Sequence, residues 1–169
     1  YSGQTVMTDV LTAEQRHKNM SRIRSRDTAP EKKLRSLLFQ RGYRFRLCDR
    51  RLPGTPDIVL KKYRTVIFVH GCFWHRHAGC RYATTPSSNK KFWEEKFLKN
   101  VERDHRNTAE LLALGWNVVI VWECHLKHHC CRTVELITHF LRSVEVFSTG
   151  SVYDLSLTDI DNFPSEHKK

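Results

Sequence analysis

Residues 57–70 read DIVLKKYRTVIFVH. Two apolar, β-branched runs, 57–62 and 65–70, flank the pair Tyr63-Arg64, and a link this short predicts an antiparallel hairpin. Upstream, Tyr43, Phe45 and Leu47 alternate with Arg44, Arg46 and Cys48, the period-two pattern of a half-buried strand. Before that, Thr28 and Glu31 form a capping box that opens a helix, whose Leu34, Leu37 and Leu38 make an apolar stripe ending at Gly42. A second capping box, Thr12 with Gln15, opens a helix through about residue 26. It carries Arg16, Lys18, Arg22, Arg24 and Arg26 and few apolar residues, which suits a helix lying on a phosphate backbone. Downstream, 89–114 is helical in composition, with Phe92, Lys96, Phe97 and Val101 near one face, Gly115 as its stop and a charged cluster at 103–106 as a candidate break. NVVIVWE, 117–123, suits a central strand covered on both faces. Leu136, Ile137, Phe140 and Leu141 mark a last amphipathic helix.

This order predicts an α/β fold, a mixed sheet flanked by helices. We expect a flexible N-terminus at 1–11, a single domain at 12–146 and a weakly ordered, Ser-, Thr- and Asp-rich tail at 147–169. The chain has 169 residues, with 29 Lys and Arg against 18 Asp and Glu, a formal net charge of +11. Such a field concentrates polyanions, nucleic acid first, although an anionic membrane surface or an acidic protein also fits it. No run approaches the roughly 20 apolar residues of a membrane span, and the start lacks a signal peptide's apolar core, so a cytoplasmic location is expected. Six cysteines then read as thiols or metal ligands.

The chemistry is densest at 68–80, FVHGCFWHRHAGC. Three histidines there are hard to place in a core, because each buried imidazole needs hydrogen-bond partners; a His-rich surface loop is the plain alternative. Cys72, His77 and Cys80, joined by Cys124, would make a tetrahedral set of three sulfurs and one nitrogen suited to a structural Zn²⁺. Cys124 lies 44 positions beyond Cys80, and taken alone it fits a buried thiol equally well. Asp57, after a Gly-Thr turn at the start of a strand, can present a carboxylate to Mg²⁺, with Glu31 and His70 in its neighbourhood. His70 and His75 suit proton transfer or phosphate contact. Phe73, Trp74 and Trp93 accompany Lys90, Lys91 and Lys96, a mixture found where bases are wedged apart; any one ring would also serve as core.

Taken together, Glu31 in TAPEKKL, Asp57 in LPGTPDIV, VIFVHGCFWHRHAGC, the run from Phe92 to Lys96, NVERD at 100–104, and Leu114-Gly115-Trp116 through Val121-Trp122-Glu123-Cys124 resemble the Vsr mismatch endonucleases in order and spacing. The resemblance spans about residues 12–126. It implies a restriction-endonuclease-like fold with one structural zinc at Cys72, His77, Cys80 and Cys124. It implies catalytic Mg²⁺, two ions, at Asp57 and the Val69 carbonyl, with Glu31 on metal-bound water, His75 as the essential histidine and His70 near the phosphate. It further implies an aromatic wedge of Phe73, Trp74 and Trp93, Asp104 orienting His75, a duplex DNA substrate with a T:G mismatch left by deaminated 5-methylcytosine, and a MutL-type partner. We expect a nucleoid-associated monomer, since one asymmetric lesion needs one active site. Phe68 and His70 stand where the usual nuclease pattern has an acid and a lysine, as the Vsr branch leads one to expect. Two rivals remain: a restriction-type nuclease on unmismatched duplex, and a zinc-stabilised DNA-binding module without catalysis.

Overall fold

The alternation of apolar residues along the hairpin is resolved by helices on both faces of one sheet. The computed structural model describes residues 14–15, 26–146 and 150–155. It holds strands β1 (Arg46–Leu47), β2 (Ile58–Leu60), β3 (Thr65–His70), β4 (Asn117–Trp122) and β5 (Val152–Asp154), and helices α1 (Ala29–Gln40), α2 (Lys90–Ala113), α3 (Glu123–His128) and α4 (Cys130–Val146). The sheet order is β1-β2-β3-β4-β5. β1, β2 and β3 pair antiparallel, whereas β4 runs parallel to β3 and β5 parallel to β4, giving a mixed sheet. Among the described residues, no helix is long and apolar enough to cross a membrane.

Side chains two apart share a face of a strand. Ile58, Leu60, Ile67, Val119 and Val121 accordingly pack with Leu34 and Leu38 of α1, Leu126 of α3 and Ile137 and Leu141 of α4. The intervening Val59, Val66 and Val118 pack with Leu111 of α2 in a second cluster. α1 starts as expected, at Thr28, whose side chain meets the Glu31 amide, and its end is followed by Gly42 with φ +87°. The hairpin closes through one 3₁₀ turn, Lys61–Tyr63, with Arg64 left-handed at φ 47°. Arg64 then donates to the Leu114 carbonyl (2.8 Å) and covers the Trp116 ring, so the hairpin also caps the end of α2.

Several expectations change. The half-buried strand at 43–48 shrinks to two exposed residues; Tyr43 and Phe45 pack on the core, but Leu47 at the sheet edge is 46% exposed. The charged cluster at 103–106 does not break α2, which runs 24 residues, because solvated charges on a helix face neither remove a backbone donor nor clash. α3 follows β4 at once, which takes Glu123 out of the expected strand at 117–123 and puts Cys124 in the first turn of the helix. Within the expected weakly ordered tail, 152–154 form β5 and Leu155 is fully buried. The composition of that segment hid a short strand that gains its stability by pairing with β4. Arg22 and Arg24 of the expected basic helix, and the N-terminus at 1–11, lie outside the described residues.

Leu155→Ala should therefore destabilise the protein by about 2–5 kcal/mol in urea unfolding, as truncation of a core leucine does. A change below about 0.5 kcal/mol would mean that the segment is not part of the fold.

Candidate functional site

Asp57 directly precedes β2, and the turn before it takes two consecutive left-handed residues, Gly54 (φ +72°) and Thr55 (φ +51°), ahead of a buried Pro56. This abrupt approach turns the Asp57 side chain toward β3, where its Oδ2 accepts a hydrogen bond from the Val69 amide at 2.8 Å. Burial pushes the Asp57 carboxyl up from its ordinary value to about 6; nearby Glu31 adds to the shift, while the Val69 bond, Arg35 and His75 oppose it. Glu31, almost fully buried, accepts from the Thr28 hydroxyl (2.7 Å), the Asp27 amide (3.0 Å) and the Arg35 guanidinium (2.8 Å).

His70 ends β3 and is buried. Its ring stacks on that of His75, with centroids 3.8 Å apart and planes 9° from parallel. His75 Nδ1 lies 2.5 Å from Asp104 Oδ2 on α2. A carboxylate there assigns the proton to Nδ1 and leaves Nε2 free to act on a substrate. Burial, with His75 beside it, drives the His70 imidazole down to about 3, so it is neutral at physiological pH. Burial would raise Asp104, but the His75 bond together with the positive field of His75 and Arg103 outweighs it and holds the carboxyl below its usual range.

A cavity of about 500 Å³ is lined by Glu31, Asp57, Val69, His70, His75 and Asp104, together with Arg26, Arg103, Arg106 and Asn107. Five separate stretches of sequence thus face one space. The ligand atoms of His70, His75 and Asp104 also lie within 4.8 Å of one another. Stacked rings, however, direct their in-plane lone pairs side by side, so that trio suits proton handling better than ion binding.

Cys72, His77, Cys80 and Cys124 form a second cluster, all ligand atoms within 4.8 Å. His77 Nδ1 is 3.6 Å from Cys72 Sγ and 3.3 Å from Cys124 Sγ. A tetrahedral ion with metal–sulfur bonds of about 2.3 Å and a metal–nitrogen bond of about 2.0 Å needs sulfur–nitrogen edges of about 3.6 Å, so the donor set fits. Burial raises the Cys72 and Cys124 thiols and lowers His77, which leaves neutral donors crowded together; a cation is the charge that would reverse the thiol shifts. His77 also stacks on Trp122 (4.1 Å), whose indole donates to Asp154 of β5 (2.8 Å).

Phe73, Trp74 and Trp93 meet edge-on or tilted at 5.0–6.0 Å, and all three are half-buried. Buried Phe97 seats Phe73 at 5.1 Å, and the Lys96 ammonium rides over Trp74 and Trp93. Lys90 and Lys91 are exposed at the start of α2, and Arg26 is exposed at the cavity. Sequence reading passed over Arg103, Arg106 and Asn107 as lining residues; for Asn107, its place three positions from Asp104 on one helix was the available signal.

A family model described as DNA mismatch endonuclease Vsr matches residues 8–81. The chain is 50% identical over 135 residues to the DNA mismatch endonuclease Vsr of Escherichia coli, covering 80% of this chain and 86% of that one. It is 46% identical over 140 residues to a type II nicking enzyme, V.NmeAIP, of Neisseria meningitidis (82% and 98% covered). It is 52% identical over 121 residues to a second nicking enzyme, V.XorIIP, of Xanthomonas oryzae (72% and 88% covered).

Asp57 carries a stability prediction. Its folded-state pKa of about 6 lies above the ordinary 3.8, so ionisation costs stability increasingly across that window and in full above it. Asp57→Asn keeps an oxygen for the Val69 amide and should raise the stability of metal-free protein at pH 7 by up to roughly 3 kcal/mol. The gain should fade as the pH falls from about 6 to about 4 and be absent below that. Thermal unfolding at pH 7 and pH 4 checks this, and equal shifts at both would refute it.

Proposed function

The chain belongs to the Vsr family of DNA mismatch endonucleases, and from that premise we propose that it hydrolyses one strand of a duplex beside a T:G mismatch, using Mg²⁺, in very short patch repair of deaminated 5-methylcytosine. The observation that carries this reading is that Asp57 and the His75–Asp104 pair line one cavity. On this reading the fold is a restriction-endonuclease-like one with a metal-bearing cluster added.

The donors at the Asp57 end of the cavity are oxygens, a carboxylate and the Val69 carbonyl, which is the chemistry a hard cation takes. Magnesium bound there would neutralise phosphate charge and lower the pKa of a water. Asp57 would be held ionised by such a charge and kept in place by its bond to the Val69 amide. Glu31, already anchored by three donors, would present its remaining lone pairs to water in the cavity. His75, its Nδ1 held by Asp104, would take a proton at Nε2 or orient the attacking water, and neutral His70 would contact a phosphate oxygen. Arg26, Arg103 and Arg106 would add positive charge along the strand being cut, with Lys90 and Lys91 on the flanking backbone.

Phe73, Trp74 and Trp93 would enter the base stack at the lesion. Unstacking a step costs a few kcal/mol and least at a mispair, which favours T:G over intact duplex. Zinc at Cys72, His77, Cys80 and Cys124 would tie the loop bearing these rings to α3, a structural role. A single cutting centre, a bacterial cytoplasmic setting at the nucleoid and cooperation with a MutL-type protein complete the proposal.

One labelled duplex, with T:G or with T:A, in Mg²⁺ or in EDTA, tests it. We expect a nick in one strand of the mismatched duplex with Mg²⁺ alone. Equal cutting of the paired duplex would favour a restriction-type enzyme, and binding without cutting would favour a DNA-binding module. Asp57→Ala should abolish nicking and leave duplex affinity nearly unchanged; a variant that still cuts at the wild-type rate would remove Asp57 from the chemistry. Separately, Cys124→Ser should lose bound zinc by mass spectrometry and lower Tm, and unchanged zinc content would exclude Cys124 as a ligand.

A further inference from the structure

The cavity has two walls from different parts of the chain. One is the 54–57 turn that delivers Asp57; the other is α2, which carries Asp104 and through it His75. The walls touch at Gly54 and Asn107. A Cβ built on Gly54 would stand 2.8 Å from Asn107 Nδ2 and 3.1 Å from both its Cβ and Cγ, so the amide side chain lies directly against the Gly54 backbone.

Both sides of this contact are stiff. Gly54 and Thr55 occupy left-handed conformations and are followed by buried Pro56, so a displacement at Gly54 passes to Asp57 with little loss. Asn107 is three residues from Asp104 on the same helix face, and Leu111, one turn further, is fully buried against Val59, Val66 and Val118. α2 is therefore anchored on the sheet at Leu111, and Asn107 is the next support toward the catalytic end. Asn107 is half-buried, and its amide makes no hydrogen bond to the described residues, so contact volume is what it supplies here.

We propose that Asn107 is a positioning residue: its side chain, packed on Gly54, sets the gap across which Asp57 faces the His75–Asp104 pair. Gly54 matches it on the opposite side: a Cβ there would press on the Asn107 Cβ and Cγ, and at φ +72° a side chain would also strain the turn that delivers Asp57. The proposal rests on the nicking reading above, and it concerns spacing instead of substrate contact.

The test uses full-length, zinc-loaded protein on the T:G duplex with Mg²⁺, following single-turnover rate, DNA affinity and Tm. Asn107→Ala should slow nicking by about tenfold to a hundredfold, the range that a misplacement near 1 Å produces, with affinity changed less than about twofold. Asn107→Leu, which keeps the branched volume and discards the polar atoms, should remain within about threefold of the wild-type rate. A role through hydrogen bonding to DNA would instead leave Leu as slow as Ala, and that result overturns the proposal. So does an Ala variant as fast as wild type, or a rate loss that merely follows a fall in Tm below the assay temperature. If wild-type protein nicks no duplex with Mg²⁺, the nuclease reading itself fails and takes the spacing role with it.

Discussion

The parallel pairing of β3 with β4 is the constraint on which the chemistry depends. Six residue pairs run from Thr65–Asn117 to His70–Trp122, and both chains leave the sheet at the same edge. Two residues past the last pair, β3 has become Cys72 and β4 has become Cys124. Parallel strands in register bring these thiols together although 52 positions separate them, and the crevice beyond strand ends is where α/β sheets place their ligands. His70, at the last paired position of β3, thereby stands between the metal-type cluster and the cavity that holds Asp57.

Electrostatics in that cavity run against the molecule as a whole. The chain carries a formal charge of +11, yet Glu31, Asp57 and Asp104 gather in one space. Each is compensated differently. Glu31 has Arg35 and two further donors, Asp104 has His75 and Arg103, and among the described residues Asp57 has only a backbone amide as its hydrogen-bond donor. The least compensated carboxyl is the one that burial pushes up to about 6, and it is the one that a hard cation would relieve. The basic surface has the complementary task of collecting a polyanion around this acidic centre.

Local signals were legible wherever a single residue type enforces a conformation. Thr28 with Glu31 opened α1, Gly42 followed its end, Gly115 followed the end of α2, and a short link made β2 and β3 a hairpin, although the 3₁₀ turn takes Lys61 and Lys62 out of the expected strand at 57–62. Signals that depend on distant partners were not legible. β5 has three residues and an unremarkable composition, and it exists because β4 offers an open edge and Leu155 finds the core. Leu47 sits in the expected alternation but is exposed, because its strand is the outermost of the sheet. The aromatic trio reads as core or as wedge in sequence, and in the fold each ring is half-buried, with Phe73 and Trp93 against Phe97 and Trp74 against those two.

The sequence by itself determined the family, the hairpin and its flanking helices, and the inventory of chemically active side chains, because capping boxes, turn residues and the HGCFWHRH block are local patterns. Only the tertiary structure decided which of those side chains meet. Strand register set the Cys72–Cys124 approach, the stacking of His70 on His75 and the bond from His75 to Asp104, and helix packing against the 54–57 turn put Asn107 on Gly54. Such contacts join segments tens of residues apart, and periodicity carries no information about distances across that range.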